Sequence, residues 1–327
     1  MIGGPILKIQ QLSKEFSKRQ VVKNIALEVQ EGEVLGIIGS SGSGKTTLLR
    51  TIVGFHYPEA GDVKFRHFSI SGGKKTSGQD EFVSIYAEND YAKNIFGFAS
   101  QEPSFYENLT VRENLMYFGS LYNLSAKQLE SNADILLTLM DLKVAQNTLG
   151  GKLSGGMQRR LDMACAMVHD PQILILDEPT SDLDPALRNH IWGIVRKINK
   201  RGTTIILASH HLSEVENFCS RIAIIKDGSL IDVDTPARLK AKYVDSQEIA
   251  VQCYPGDYYG VFEELKKEFP KIVGRVSSAG LVVTSNNPKM VLHEIFKALE
   301  ELDEELVDIR VAKPGLDDLF MKITRSA

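Results

Sequence analysis

Several broad classes are excluded by what this sequence has little of. Its longest uninterrupted apolar run, Met163 to Val168, is six residues in a chain of 327, whereas a membrane-spanning helix needs about 20. No span is expected. There are three cysteines, Cys165, Cys219 and Cys253, and no C-x-x-C pair. An odd, widely spaced set suits a reducing compartment better than a disulfide framework. The first residues, MIGGPILKIQQ, lack a basic segment followed by a long apolar stretch, so no secretory signal is expected. A basic excess is also missing. Net charge is −4, all of it in residues 241–327, which hold 11 Lys+Arg against 15 Asp+Glu. Nucleic-acid binders usually carry a positive excess, so no nucleic-acid partner is expected.

What is present is ordinary globular composition, with 43% apolar and 24% charged residues. The length suggests about two domains, each able to bury a core. ILKIQQL and IALEVQ alternate apolar and polar positions, the period of half-buried strands. VLGII, ILIL, TTIILAS and RIAIIKDG are continuous apolar segments, as expected for strands buried on both faces. Helical periods lie between them: Thr46–Val53, two faces within 109–142 (Leu115, Tyr117, Phe118, Leu121, Tyr122; then Ile135, Leu136, Leu139, Met140), and 155–168. Strands alternating with helices imply an α/β fold with a mostly parallel sheet. SISGGKKTSGQDE (69–81) is polar and Gly/Ser/Lys-rich, and it reads as an exposed loop.

Composition shifts near Thr235-Pro236. We divide the chain into residues 1–240 and 241–327. The second part reads strand, helix, strand, strand, helix, strand and a short terminal helix, the β-α-β-β-α-β order of ferredoxin-like α+β domains. Its acidic run Glu301–Glu305 reads as a solvated face.

GSSGSGKT (Gly39–Thr46) matches G-x-x-x-x-G-K-[ST] and falls between an expected buried strand and an expected helix. Gly42 and Gly44 let backbone N–H groups converge on an anion, and the helix N-terminus adds partial positive charge. Lys45 can reach β- and γ-phosphates, and the Thr46 hydroxyl can reach Mg²⁺. ILILDEP ends an apolar strand in two acids. Ligands of parallel sheets bind at the carboxyl ends of strands, so Asp177 is placed to hold Mg²⁺ and Glu178 to orient or deprotonate a water. LSGGMQ (Leu153–Gln158) opens a helix whose start, with Ser154 as a candidate cap and Gly155-Gly156 behind it, makes a second anion site.

These three motifs, in this order and with Asp177 standing 23 residues after Ser154, resemble the ATP-binding-cassette (ABC) ATPases over residues 6–235. The resemblance implies a P-loop NTPase fold, with a RecA-like core, a helical subdomain at about 102–160 and the small α+β domain behind. It implies that ATP is held by Gly39, Ser40, Ser41, Gly42, Ser43, Gly44, Lys45, Thr46 and Thr47, with Phe16 stacked on adenine. Thr46, Asp177 and Gln101, the glutamine of FASQEPS, would hold Mg²⁺. Glu178, His210, Lys45 and Gln101 would serve catalysis, with His210 of LASHHLSEV as the switch histidine and His211 as a surface residue at a helix start. SDLDP (181–185) resembles the family's D-loop, with Asp184 near the nucleotide and Asp182 where glycine or alanine is more common. Members act as head-to-tail dimers, so Ser154, Gly155 and Gly156 would meet the γ-phosphate bound by a partner's Lys45.

SFYENLTVRENLMYFGSLYNL (104–124) and PGLDDLFMKIT (314–324) resemble the drug-resistance and polysaccharide exporter branch. That implies a peripheral subunit at the cytoplasmic face of the membrane, working as a homodimer or heterodimer with a separate transmembrane permease. Tyr106, Phe118 and Tyr122 are candidates for the permease contact. The alternatives are a methionine-type importer ATPase with a regulatory domain, and a soluble ABC ATPase without a membrane partner.

Overall fold

The protein was analysed as a computed structural model, which describes residues 4–71, 74–87, 93–243, 247–312 and 315–325. The chain separates into two compact units, 1–236 and 237–327.

The first unit contains two sheets. β1 (Pro5–Phe16), β2 (Arg19–Gln30), β4 (Ala60–Ser71) and β5 (Lys74–Ser84) form an antiparallel sheet in the order β2-β1-β4-β5. β3 (Val34–Ile38), β6 (Phe96–Ala99), β7 (Ile173–Asp177), β8 (Thr204–Ala208), β9 (Arg221–Lys226) and β10 (Ser229–Asp234) form the other, in the order β10-β9-β3-β8-β7-β6. Five of these six strands run parallel, and only β10 is antiparallel. β3, β7 and β8 are buried at every residue, which is why their sequences read as unbroken apolar segments rather than alternations.

Helix α1 (Lys45–Ile52) follows β3 and buries Leu48, Leu49 and Ile52 in one cluster with side chains of both sheets, among them Leu7, Val63, Ile37, Ile175 and Ile206. Burial of each such side chain contributes about 1.5–3 kcal/mol, so the loop before α1 is anchored at both ends by core. Helices α2 (Val111–Ser120) and α3 (Ala126–Leu139) start with capping boxes, Thr110 with Glu113 and Ser125 with Gln128. They pack on α4 (Gly155–Met167), which also packs on β6 and so joins the helical layer to the parallel sheet. Helices α5 (Pro185–Lys200) and α6 (Leu212–Phe218) complete this unit.

The second unit has α7 (Pro236–Tyr243), β11 (Gln247–Tyr254), α8 (Tyr258–Glu268), β12 (Val273–Ser277), β13 (Gly280–Ser285), α9 (Pro288–Glu301), β14 (Glu305–Ala312) and α10 (Leu316–Arg325). Its sheet is antiparallel in the order β12-β13-β11-β14, the arrangement expected of a β-α-β-β-α-β unit. Ile249, Val251, Val261, Leu265, Val283, Val291 and Ile295 lie in its own core.

Three sequence expectations change. Residues 69–71 and 74–81, expected as an exposed loop, belong to β4 and β5, and residues 72–73 of that expected loop lie outside the described residues. An antiparallel pair is held by backbone hydrogen bonds, so a polar edge strand leaves no apolar signal. Within the two apolar faces expected in 109–142, Ile135, Tyr117 and Leu121 are exposed, whereas Leu115, Leu136, Leu139 and Met140 are buried. In the acidic run, Glu304 is buried and accepts hydrogen bonds from the backbone N–H groups of Gly256 (2.8 Å) and Asp257 (2.7 Å). It serves as the acceptor for a turn rather than as a solvated charge.

Candidate functional site

The functional motifs leave the carboxyl ends of four adjacent parallel strands. β3 runs into the glycine loop, β8 into Ser209-His210, β7 into Glu178 and β6 into Ser100-Gln101. This is where an open parallel sheet presents ligands. Their meeting point is a cavity of about 560 Å³ lined by Val21, Ser41, Gly42, Gly44, Lys45, Thr46, Thr47, Gln101, Glu178 and His210.

The loop conformation depends on its glycines. Gly44 caps α1 in the left-handed region, with φ 101°, and a Cβ there would lie 2.6 Å from the Val21 carbonyl oxygen. Gly42 is also left-handed, with φ 77°. The Lys45 ammonium lies along the loop and donates to the carbonyls of Gly39 (2.9 Å) and Ser40 (3.2 Å). Burial pushes the Lys45 pKa down, and the charges of Glu178 and Asp177 oppose that shift.

Asp177 is 1% exposed. Burial raises its pKa, while the Thr46 hydroxyl, Arg50 and Lys45 favour the carboxylate. Neither carboxylate oxygen has a partner in good hydrogen-bond geometry. A buried acid with both oxygens unpartnered is costly, and a cation would relieve it. Among the described residues no cluster of three or more His, Cys, Asp or Glu gathers. Mg²⁺ is usually held by one or two carboxylates together with substrate phosphates and water. The donor set of Asp177, Thr46 and Gln101 therefore fits Mg²⁺.

Glu178 is mostly buried and non-glycine, yet it has φ 50°. Its N–H donates to the Ala208 carbonyl (2.9 Å), and its Oε2 lies 2.8 Å from His210 Nδ1. His211 occupies the cap position of α6, and its ring lies 4.1 Å from that of His210. Burial, then the His210 charge, lowers the His211 pKa. Asp182 has φ 59°, in the left-handed region that favours glycine. Aspartate is among the few others that tolerate left-handed backbone.

Other expected residues stand apart from this cavity. Phe16 lines a neighbouring cavity of about 470 Å³ that shares Val21 and Gly42 with the first. Its ring packs edge-on against His56 and lies under the Lys14 ammonium. Ser154 holds the cap position of α4 without a side-chain cap hydrogen bond, and Ser154 and Gly155 are exposed. None of Ser154, Gly155 and Gly156 lines the cavity of their own chain. Asp184 caps α5, accepting from the N–H groups of Ala186 (2.9 Å) and Leu187 (3.0 Å), and is also outside the cavity.

Two further residues bear on the site. Glu214 Oε2 accepts from the Thr180 hydroxyl (2.7 Å) and Trp192 Nε1 (2.9 Å), tying α6 to the segment after Glu178. Arg159 of α4 donates to the Asp177 (2.8 Å) and Pro179 (3.1 Å) carbonyls. Its sequence signals are its place directly after LSGGMQ and an aspartate three residues on, in a helix that also carries Gln158 and Arg160.

Comparison with known proteins gives a consistent result. The ABC transporter family model matches residues 22–181. The linearmycin resistance ATP-binding protein LnrL of Bacillus subtilis (strain 168) is 34% identical over 98% of both chains. A Nod factor export ATP-binding protein I of Burkholderia pseudomallei (strain K96243) is 34% identical, covering 97% of this chain and 96% of that one. The daunorubicin resistance ATP-binding protein DrrA2 of Streptomyces coeruleorubidus is 30% identical over 99% and 96%. Among solved structures, the dimeric post-hydrolysis cassette MJ0796 bound to ADP and Pi is 26% identical, with a TM-score of 0.58 over 70% of this chain and 98% of that one.

Proposed function

The chain belongs to the ABC transporter family, as its ATP-hydrolysing subunit, and from that premise we propose that its hydrolysis drives export through a separate transmembrane permease. The observation that carries the site assignment is the convergence of Lys45, Thr46, Gln101, Glu178 and His210 on one cavity, beside an Asp177 whose buried oxygens lack donors.

Lys45 turns from the Gly39 and Ser40 carbonyls to the β- and γ-phosphates. The N–H groups of Gly42 to Thr46, at the start of α1, bind phosphate oxygens. Thr46, Asp177 and Gln101 would hold Mg²⁺, which would supply positive charge against the phosphates. Glu178 orients a water and accepts its proton as the water oxygen attacks the γ-phosphorus; the bond to the β–γ bridging oxygen breaks and ADP leaves. His210 holds Glu178 from the far side. Phe16 offers its free face to adenine.

The same chain cannot supply Ser154, Gly155 and Gly156 to its own cavity, which supports a head-to-tail dimer in which they close a partner's site. Permease docking is supported by a second cavity of about 490 Å³, lined by Phe55, Phe98, Phe118, Tyr122 and residues of β6 and α4. Phe55 is 63% exposed there. Tyr106 is exposed beside Tyr117 and Phe118, whereas Tyr122 stacks on His169 at 3.7 Å and is partly core. No helix among the described residues is long and apolar enough to cross a membrane. In this proposal the subunit sits at the cytoplasmic face, held by the permease. The names of the similar resistance and export proteins support export over import.

The test is ATP turnover by the purified chain. Lys45→Ala is expected to abolish phosphate release; retained turnover refutes the site.

A further inference from the structure

Arg159 and Asp162 lie one turn apart on α4, 8% and 0% exposed. The Arg159 guanidinium reaches three backbone carbonyls of two separate segments. Nε donates to Pro179, Nη2 to Asp177 and Nη1 to Ser100. Two of these carbonyls flank Glu178, and the third immediately precedes Gln101. Asp162 continues the arrangement. Its Oδ1 accepts from the Ser104 N–H (2.8 Å) and hydroxyl (2.6 Å), and its Oδ2 lies 3.6 Å from Arg159 Nη1. The loop carrying Gln101 is therefore held at Ser100 by one residue of α4 and at Ser104 by the next turn.

Glu178 needs such support. A non-glycine residue at φ 50° persists only where its surroundings over-determine it. The Glu178 N–H bond to Ala208 fixes one side of the residue. The flanking carbonyls are fixed by Arg159. A structural ion pair alone would need only Asp162; aiming three donors at carbonyls is a task for a planar, forked guanidinium.

We infer that Arg159 is a positioning residue for hydrolysis, holding Glu178 and Gln101 in register with each other and with the helix that begins at Ser154. This rests on the ATPase site proposed above. Any displacement of α4, whose first turn carries Ser154, Gly155 and Gly156, is passed to both residues through one side chain.

The test uses the full chain and two variants. Arg159→Lys keeps a cation opposite Asp162, but a compact ammonium cannot span the three carbonyls. Arg159→Met combined with Asp162→Leu removes both buried charges together, which avoids leaving either unpaired. Both are expected to melt cooperatively and to bind ATP without Mg²⁺ as the unaltered chain does. In both, kcat is expected to fall roughly ten- to a hundredfold, with a higher Mg²⁺ concentration needed for half-maximal turnover. Unaltered kcat and Mg²⁺ dependence in either folded variant overturns the inference. So does a loss in Arg159→Lys no larger than its loss of folded protein, which decides the matter if the double variant does not fold. Glu178→Gln is measured alongside. If it retains full turnover, the site assignment itself fails, and the role of Arg159 falls with it.

Discussion

Nδ1 of His210 lies 2.8 Å from Oε2 of Glu178, and the His210 backbone N–H donates to the same oxygen at 3.3 Å. The histidine side chain is 55% exposed and the glutamate side chain 11%. One carboxylate oxygen is thus engaged by both the ring and the backbone of His210. The two residues come from adjacent strands, β7 and β8, whose ends are in register at Asp177 and Ala208.

Glu178→Gln preserves this shape and removes the proton acceptor. Turnover is expected to fall by about 10²–10⁴ while ATP binding persists. With ATP present the variant should run as a dimer in size-exclusion chromatography. A monomer with undiminished turnover would count against both the role of Glu178 and the head-to-tail arrangement.

Gly44→Ala places a Cβ 2.6 Å from the Val21 carbonyl oxygen at φ 101°. Backbone strain of this kind costs about 1–3 kcal/mol. The loop is expected to lose its phosphate-binding geometry, so nucleotide affinity should fall far more than the melting temperature. Isothermal titration with ATP and a thermal melt separate the two.

His169 is buried; its Nε2 donates to the Phe96 carbonyl (3.1 Å), its Nδ1 has no partner, and its ring stacks on Tyr122. Burial lowers its pKa to about 4, from 6.5. The folded state therefore holds the neutral ring, and the unfolded state takes up the proton first. The contribution is fully present above pH 6.5, is lost progressively as pH falls from 6.5 to about 4, and amounts to about 3 kcal/mol across that window. His169→Gln should flatten the pH dependence of urea-unfolding stability there. An unchanged slope would show that other groups carry it.

Phe55→Asp puts a charge on the most exposed aromatic of the second cavity. Retention of the subunit on membranes containing its co-expressed permease is expected to drop by tenfold or more, about 1.4 kcal/mol of binding. Equal retention would place the docking surface elsewhere.

Reading along the chain located the phosphate loop, the acidic strand end and the start of α4, because each is a local pattern. Glycines mark left-handed backbone, an apolar run marks a buried strand, and a 3.6-residue period marks a helix face. Arg159 escaped notice because its three acceptors are backbone carbonyls 18 to 59 residues away, and carbonyls have no sequence signature. Glu214 stands within LASHHLSEV, but its tie is not legible there because its donors, Thr180 and Trp192, lie 34 and 22 residues off. Residues 69–71 and 74–81 read as loop in the sequence because a polar edge strand is specified by backbone pairing rather than by side chains.

The sequence alone determined the phosphate-binding chemistry, since G-x-x-x-x-G-K-T dictates local backbone and charge whatever surrounds it. It also determined the division into a cassette and a β-α-β-β-α-β unit, through the periods of their elements. The tertiary structure decided which distant residues share the site. The order β3-β8-β7-β6 brings residues 39–47, 101, 178 and 210 to one edge and leaves Ser154, Gly155 and Gly156 outside it. Strand order is set by packing between segments 31 to 171 residues apart, and no local period encodes it.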